Sequence, residues 1–287
     1  MRVLVVSNLF PPVQFGGYEL LAHRVTEGFR AKGHDVDVLT SDCLADTVEE
    51  DPAHIKRVLK LTTNFPRQGE EVGFVDFRRS SINRVAKKNF ELTRQQLASQ
   101  PYDAVFCWCM NRMSLGAVFA AQAAGVPVCY TVNDEHPKQF AETPWQMRPD
   151  RMARRVAEET IWPMATFGHA TPFPITTISR FLQDVLVEHG CPLEEAEVIY
   201  QGADIEKFPY QPSLRGDATP IKLLFAGQIC ENKGVHTILR AVGELRRRGI
   251  DAQLDIVGHG VPDYRKKLDD IVEEQSIGAF VNFRGFV

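Results

Sequence analysis

Apolar runs alternate with amphipathic segments along this chain, and one such series occurs twice in the same order. The first copy begins MRVLVVS, continues through a loop with GGYE and a segment ending FRAKG, and reaches DVDVLTSD. The second begins IKLLFAG near Ile221, continues through ENKG and a segment ending LRRRG, and reaches AQLDIVGHG. Each copy is typical of a strand, a glycine-bearing loop, a helix and a second strand, which together form a βαβ unit.

The stretch between the two copies continues the alternation. Leu21, Val25 and Phe29 are spaced four residues apart, so they lie on one apolar side of the first predicted helix. This side can pack against a sheet. The pattern predicts strands over 36–40, 104–108, 128–132, 176–179 and 196–200, and helices over 83–99, 115–124, 148–160 and 181–189. The stretch 42–73 has mixed charge and weak periodicity, which predicts loops with one strand. The fold class that follows is α/β.

A change in composition predicts where the domains meet. The segment 211–220 is polar and contains two prolines and one glycine, which is typical of a linker. We therefore expect a complete Rossmann-like domain over 1–210 and the first part of a second one over 221–287. The chain of 287 residues is long enough for two cores.

Charge and cysteine content indicate which kinds of partner and which cellular compartment to expect. A net charge of -4 gives no reason to expect a nucleic-acid partner. The six cysteines show no C-x-x-C spacing, which favours a reduced, cytoplasmic protein. The apolar start Met1–Ser7 leads to two prolines without a cleavage-like site, so no signal peptide is expected. The uncharged stretch Ser114–Val132 is interrupted by Gly125 and Pro127, which predicts a helix and a strand rather than a membrane span.

Glycines follow the first predicted strand and precede the first helix. Gly16 and Gly17 allow the backbone to approach a ligand closely, and the helix N-terminus that follows favours an anion. The loop is not G-x-G-x-x-G, so it is a poor dinucleotide fingerprint. A phosphate site and a plain turn both remain open from this loop alone. Glu19, in the first helical turn, is explained as a helix cap.

Several runs in a fixed order carry a resemblance that covers the whole chain. They are GGYE, KGHDVDVLT, TIS-RF, VIYQGADIEKF, LLFAGQICENKG, LDIVGHG and VNFRGFV. Together they resemble the retaining glycosyltransferases of the GT-B fold, family 4. The resemblance implies a GT-B-like fold with an acceptor-side N-terminal domain and a partial nucleotide-sugar domain, apparently truncated.

The resemblance also implies roles for individual residues. Gly16 and Gly17 match the glycine loop that lies against the donor diphosphate and the acceptor. Lys233 matches the lysine that pairs with the diphosphate, and Gly234 follows it as in the family. A fixed cation and backbone N–H groups suit the dianionic diphosphate that leaves when a nucleotide-sugar bond breaks. Gly202-Ala203-Asp204 and Phe208 match a run that we take as structural.

Three departures from the family pattern are visible. Gln228 stands where the family usually has an arginine, so a hydrogen-bond donor replaces a charge. Asn133 takes the place of a frequent histidine, and His136 lies three residues later. Asn133, Asp134 and His136 follow a strand and are candidate catalytic residues, although a polar turn explains them equally well. The family's Glu-x(7)-Glu motif for sugar and ribose is expected beyond Val287.

The function that the resemblance implies is retaining transfer of a hexose from a UDP- or GDP-linked sugar to an acceptor hydroxyl of a glycan, lipid or small molecule. No metal or other cofactor is expected. One alternative is a catalytically inactive module that binds an acceptor or a partner, which Gln228 and the missing motif favour. A dinucleotide oxidoreductase is a third reading, against which the absent G-x-G-x-x-G counts.

Two surfaces suggest further contacts. Arg148, Arg151 and Arg155 share one predicted helix face, and Arg84, Lys87 and Lys88 share another. Such faces either are solvated or touch anionic lipid at the inner membrane surface.

A partial second sheet predicts an exposed edge and an apolar patch, and with them self-association.

Overall fold

A computed structural model describes residues 1–14, 16–67, 74–203, 205–207, 209–210, 220–260 and 262–285. The chain divides into two compact units, Met1–Gly202 and Ala203–Val287. We call them unit 1 and unit 2 and describe each by itself. Of the predicted linker, residues 211–219 lie outside the described residues.

Unit 1 contains a seven-stranded, fully parallel sheet. The strand order is β3-β2-β1-β4-β5-β6-β7, and β1 pairs with β2 from Arg2 opposite Asp35 to Ser7 opposite Thr40. The strands are β1 (Arg2–Ser7), β2 (Asp35–Ser41), β3 (Ile55–Leu59), β4 (Ala104–Cys107), β5 (Val128–Val132), β6 (Ile175–Thr177) and β7 (Glu197–Val198). The predicted strands are confirmed, although the last one is shorter than the predicted 196–200.

Five α-helices accompany the strands in the described part of unit 1. They are α1 (Gly17–Ala31), α2 (Arg79–Ser99), α3 (Gly116–Ala123), α4 (Pro149–Thr160) and α5 (Arg180–Glu188). All were predicted, but α2 begins at Arg79 rather than at Asn83. Asp76 stabilises this start, because its carboxylate accepts the Arg78 backbone N–H at 3.0 Å and the Ser81 hydroxyl at 2.5 Å.

The central strand β1 is buried on both faces, as an apolar run in a parallel sheet predicts. Leu4 and Val6 pack into the main core, which includes side chains from α2, α3 and α5. Val3 and Val5 pack on the opposite face with Ala22 of α1. All six cysteines are free thiols.

The uncharged stretch 114–132 is divided as predicted. Helix α3 ends at Ala123, Gly125 adopts a positive φ of 67°, and β5 begins at Val128. A Cβ at Gly116 would lie 2.3 Å from the Ala86 carbonyl oxygen, so α3 packs closely on α2. Among the described helices, none combines the length and the apolar character that crossing a bilayer requires.

Unit 2 contains a three-stranded parallel sheet of order β10-β9-β8. Its elements are β8 (Ile221–Ala226), α6 (Val235–Arg247), β9 (Ala252–Val257), α7 (Pro262–Glu274) and β10 (Val281–Gly285). Leu254 and Ile256 are buried with apolar side chains of both helices. The other face of the sheet carries Leu224, which is 71% exposed. Leu224 lies on β8, at an edge of the described sheet. One exposed leucine is not the apolar patch that the sequence predicts, and the exposed neighbours Lys222 and Gln253 are polar.

Candidate functional site

The strand order of unit 1 reverses between β1 and β4, where open α/β sheets bind ligands at the carboxyl ends of their strands. The loops after these strands are joined at this point. The Asn8 backbone N–H donates to the Cys109 carbonyl oxygen at 2.8 Å, and Asn8 Nδ2 donates to the Asn111 carbonyl oxygen at 3.3 Å. We call this region the unit 1 edge.

Gly16 and Gly17 lie where α1 begins at this edge. Gly16 is extended with φ -165°, a conformation open to any residue, and its N–H donates to Glu19 Oε2 at 2.9 Å. This contact confirms Glu19 as a cap. Among the described residues beyond the chain neighbours and the helix itself, no atom lies within 4 Å of a Cβ at either glycine. Neither backbone strain nor crowding therefore explains the glycines.

Tyr18 joins the glycine loop to the end of β5. Its hydroxyl donates to the Asn133 carbonyl oxygen at 2.6 Å, and its own carbonyl oxygen accepts Trp108 Nε1–H at 3.1 Å. Burial, and after it the negative charge of Asp134, raise the pKa of Tyr18, so the hydroxyl stays protonated and donates. Tyr18 was not predicted as a site residue from the sequence. Its signal was an aromatic residue directly after the two glycines.

Asn133 follows the last residue of β5 and is buried, with 6% of its surface exposed. Neither its Oδ1 nor its Nδ2 has a hydrogen-bond partner among the described residues. A buried amide without a partner costs about 1–3 kcal/mol, which a bound ligand or water would offset.

Asp134 and His136 form a hydrogen-bonded chain with Tyr130. His136 Nδ1 contacts Asp134 Oδ1, and His136 Nε2 lies 2.6 Å from the hydroxyl of Tyr130, which is fully buried. Burial opposes ionisation of Asp134, but the hydrogen bonds from His136 outweigh it and lower the pKa of Asp134. Both ring nitrogens of His136 thus have partners within the protein, and one of these partners is the Asp134 carboxylate.

Further polar groups of the unit 1 edge are buried hydroxyls at the ends of β1 and β2. The atoms are Ser7 Oγ, Thr40 Oγ1 and Ser41 Oγ, and within the described part of the chain none has a hydrogen-bond partner. Ser7 and Thr40 are neighbours in register. They were not predicted as site residues, although Ser7 ends the apolar strand β1 and Thr40 and Ser41 end β2.

Arg57 on β3 fixes the loop that leads to the glycines. Its guanidinium donates to the carbonyl oxygens of Phe10 and Pro11, each at 2.9 Å, and pairs with Asp51 at 2.9 Å. The guanidinium fork suits this task because its donors are rigidly spaced. The unit 1 edge is therefore anchored from two sides, by Arg57 and by Tyr18.

Unit 2 places the other candidate residues after β8. Gln228 and Lys233 are exposed, and Lys233 ends a single helical turn, Glu231–Lys233. Within the residues described, Lys233 has no ion pair, whereas its neighbour Glu231 pairs with Lys267. Gly234 has φ 70° and caps α6, so the backbone itself requires glycine there.

A pocket of about 430 Å³ opens at the carboxyl ends of the unit 2 strands. It is lined by Ile229, Gly258, His259, Gly260, Arg265, Phe283, Arg284 and Gly285. Arg265 lies over the Phe283 ring, 3.6 Å from its centroid, and Arg284 pairs with Asp255 at 3.1 Å. The motif runs IVGHG and VNFRGFV were recognised in the sequence, but His259, Arg265 and Arg284 were not named as site residues.

The structure thus brings Gly16, Gly17 and Asn133 together through Tyr18, and it places Gln228, Lys233 and Gly234 on one loop of unit 2. Asp204 and Phe208 of the run taken as structural lie outside the described residues. Within the described ranges, no group of three or more His, Cys, Asp or Glu side chains is arranged to hold a metal ion.

Curated proteins similar to this chain include glycogen synthase of Mycobacterium tuberculosis and WcaL of Escherichia coli, which is named for colanic acid biosynthesis. Glycogen synthase is 25% identical over 91% of this chain and 62% of its own length. WcaL is 28% identical over 35% of this chain and 24% of its own length. The chain therefore spans less than two thirds of these relatives.

Solved structures show the same fold. HepE from Anabaena, in complex with UDP, has a TM-score of 0.61 at 18% identity, over 100% of this chain and 70% of HepE. WaaG, a glycosyltransferase involved in lipopolysaccharide biosynthesis, has a TM-score of 0.54 at 17% identity, over 99% and 70%. The fold is the GT-B fold of glycosyltransferases.

Family models match nearly the whole chain. A model described as Glycosyl transferases group 1 matches residues 207–287, and one described as Glycosyltransferase Family 4 matches residues 15–207. The second match covers more than half of the 287 residues. The chain therefore belongs to Glycosyltransferase Family 4.

Proposed function

We propose that this chain serves the transfer of a hexose from a UDP- or GDP-linked sugar to an acceptor hydroxyl, with retention of the anomeric configuration. The observation that carries the proposal is the loop after β8, where Lys233 is exposed and without an ion pair among the described residues. The pocket lined by His259 and Arg265 opens at the same edge. The structures of HepE with UDP and with UDP-glucose support a nucleotide-sugar donor.

In the proposed reaction, the bond between the anomeric carbon and the donor phosphate oxygen breaks, and a bond from that carbon to the acceptor oxygen forms. The negative charge that develops on the diphosphate is stabilised by Lys233, with Gln228 as an uncharged donor. The acceptor hydroxyl binds at the unit 1 edge, where the partly exposed Asp134 carboxylate accepts its hydrogen bond; the buried, unpaired amide of Asn133 lies next to Asp134 in the chain. The proton of that hydroxyl passes to the departing phosphate oxygen.

Calorimetric titration with UDP, GDP, UDP-glucose and NAD tests the donor part of this proposal. Lys233→Ala is expected to weaken UDP binding by about tenfold or more, since a hydrogen bond to a charged group contributes about 1.5–3 kcal/mol. Lys87→Ala is the matched control, because Lys87 is also exposed but lies on α2 of unit 1. Equal affinity of the Lys233→Ala variant and the unaltered protein contradicts the assignment of Lys233.

An inactive module that binds an acceptor or a partner is the second candidate function. Gln228 favours it, because the amide brings no positive charge to the position that the family usually gives to arginine. In that case none of the nucleotides binds, while an acceptor sugar still perturbs the unit 1 edge. Preferential binding of NAD instead indicates an oxidoreductase.

Self-association is a further prediction from the uncovered face of the unit 2 sheet. Leu224 is the exposed apolar side chain on that face. Light scattering across a concentration series measures whether the chain remains monomeric.

A further inference from the structure

Arg112 is a buried cation in the loop that follows β4 at the unit 1 edge. The residue is 9% exposed. Its loop is joined to the loop after β1, because Asn8 Nδ2 donates to the Asn111 carbonyl oxygen. An arginine at this depth is normally paired with a carboxylate, since a buried charge without a partner costs free energy. The groups around Arg112 therefore indicate what the residue binds.

The contacts of Arg112 are made with neutral groups. Its guanidinium lies over the Phe65 ring, with Cζ 4.1 Å from the centroid, and Nη1 donates to the Asn64 carbonyl oxygen at 2.9 Å. Within the described ranges, Arg112 has no ion pair. Burial lowers the pKa of Arg112 because desolvation disfavours the charged form, but a guanidinium stays charged at neutral pH.

The acidic side chains just after β2 are bound to other cations. Asp42 pairs with Lys60, and Asp46 pairs with Arg67. Nε and Nη2 of Arg112 donate to no residue that the structure describes, and neither atom is closed off from solvent. These two nitrogens carry parallel N–H groups, which suit a bidentate contact with a phosphate or a carboxylate.

The loop that carries Arg112 has an unusual backbone. Arg112 has φ 60° and Ser114 has φ 121°, although neither is glycine. Such conformations cost about 1–3 kcal/mol each and occur most often at ligand sites, where the surrounding structure holds them. The Thr62 N–H holds this loop by donating to the Arg112 carbonyl oxygen at 2.7 Å, and Thr62 Oγ1 is buried without a described partner. The guanidinium is therefore fixed in place rather than carried on a flexible arm.

We propose that Arg112 is the centre of an anion-binding subsite in unit 1, which holds a phosphate or carboxylate group of the acceptor. Nε and Nη2 donate to two oxygens of the anion, and the negative charge offsets the buried positive charge. Arg112 contacts the segment after β3, whereas Asp134 follows β5, on the other side of β1. The anionic group and the reacting hydroxyl therefore belong to different parts of the acceptor. Only the assignment to an acceptor rests on the proposed function; the binding of an anion at Arg112 does not.

Calorimetric titration of the Lys233→Ala chain with inorganic phosphate, glucose 6-phosphate, glucuronate and glucose tests the subsite. Lys233→Ala removes the cation assigned to the donor diphosphate, and Arg112 is unaltered in this comparison. We expect the anions to bind and glucose to bind at least about tenfold more weakly, since hydrogen bonds to charged groups are the strong ones. Absence of binding by all three anions, or equal affinity for glucose and glucose 6-phosphate, overturns the proposal.

Arg112→Gln, made in the same Lys233→Ala chain, locates the subsite. Glutamine keeps a donor for the Asn64 carbonyl oxygen and removes the charge. The affinity for glucose 6-phosphate is expected to fall by about tenfold or more. Unchanged affinity in the folded Arg112→Gln protein overturns the proposal.

Arg155→Gln is the matched control for the loss of a buried arginine. Arg155 was predicted to lie on an outward basic face, but its side chain is 12% exposed and pairs with Glu142 and Glu159. Because these carboxylates already compensate its charge, we expect Arg155→Gln to leave the affinity for glucose 6-phosphate unchanged. A loss equal to that of Arg112→Gln contradicts a specific role for Arg112.

Thermal melting separates a ligand-binding arginine from a structural one. Without ligand, Arg112→Gln is expected to melt at the same or a higher temperature, because it removes a buried charge that lacks a carboxylate partner. Glucose 6-phosphate should raise the melting temperature of the Lys233→Ala chain but not that of the chain that also carries Arg112→Gln. A lower melting temperature together with unchanged anion affinity is the result for a purely structural arginine and overturns the proposal.

Titration with UDP separates this subsite from the proposed donor site. Arg112→Gln in the otherwise unaltered chain is expected to bind UDP as the unaltered protein does. Loss of UDP binding in that variant would place Arg112 in the donor site and overturn its assignment to the acceptor. If the anions bind at Arg112 while UDP does not bind at all, the subsite stands and the proposed function alone is contradicted.

Discussion

Glycines occupy the carboxyl edge of the sheet in both units, but their surroundings differ. In unit 2, Gly227, Gly234 and Gly258 all have positive φ, at 152°, 70° and 143°. A Cβ at Gly258 would lie 1.8 Å from the Gly227 carbonyl oxygen. In unit 1, Gly16 is extended and neither it nor Gly17 is crowded by described residues beyond its own helix.

This difference separates two reasons for glycine in a loop. A glycine that backbone conformation and packing require is explained by the fold, and its presence says little about a ligand. A glycine that neither the backbone conformation nor the packing requires indicates that a ligand comes close to the backbone there. The resemblance treated Gly16, Gly17 and Gly234 alike, whereas the structure leaves the stronger case for ligand approach with the first two.

Gly258→Ala is the change with the largest expected effect. The new Cβ would overlap the Gly227 carbonyl oxygen in a backbone conformation that L residues rarely adopt. Overpacking and strain together predict a loss of about 3 kcal/mol or more in the free energy of unfolding of unit 2. Urea unfolding measures it.

Gly249→Ala provides the control for this prediction. Gly249 has φ 73°, but no described atom outside its neighbourhood lies within 4 Å of a Cβ there. Strain alone is expected to cost about 1–2 kcal/mol. Equal losses for both variants would show that the contact between Gly227 and Gly258 is looser than the structure indicates.

Asn133→His is expected to lower the free energy of unfolding by about 1–3 kcal/mol, because a larger ring must enter a buried position. Asn133→Leu is the control of similar volume. It is expected to be neutral or stabilising in urea unfolding, because it removes an unpaired buried amide. A stable histidine variant contradicts the burial of Asn133.

The contrast between Asn133 and the strands shows what the sequence could predict. Apolar runs such as those of β1 and β8 are local signals, and both βαβ units were predicted from them. The hydrogen bond from Tyr18 to the Asn133 backbone joins positions that are 115 residues apart, so no local pattern in the sequence indicates it. The start of α2 was missed for a related reason, since Arg79 and Ser81 are polar yet buried.

Asp134→Asn tests the charged part of the unit 1 edge. Its folded pKa lies below the unfolded value, so its contribution is present above the unfolded pKa of about 3.9 and is lost as pH falls through the folded pKa. At neutral pH the variant is expected to lose about 1 kcal/mol in the free energy of unfolding. Below pH 4 the difference from the unaltered protein should shrink.

Asp255→Asn in unit 2 is the matched control for this pH dependence. The pKa of Asp255 is also lowered, first by its hydrogen bond from Arg284, but this pair lies in solvent. We expect a smaller effect in the same direction, which added salt removes. A pH dependence as large as that of Asp134→Asn would mean that burial does not strengthen the pair of Asp134 and His136.

Gly17→Val has the smallest expected effect on the fold. It tests most directly whether the glycines of unit 1 differ in purpose from those of unit 2. Open space and an ordinary backbone conformation predict a change in the free energy of unfolding within about 0.5 kcal/mol. A β-branched side chain would nevertheless keep a ligand from the loop, so we expect weaker binding of diphosphate or acceptor. Gly234→Val is the control, because its φ of 70° makes strain unavoidable. Thermal melting and ligand titration on the same samples separate the two effects. Unchanged affinity in a stable Gly17→Val protein would reduce the glycine loop to a plain turn, and both units would then use glycine for the backbone alone.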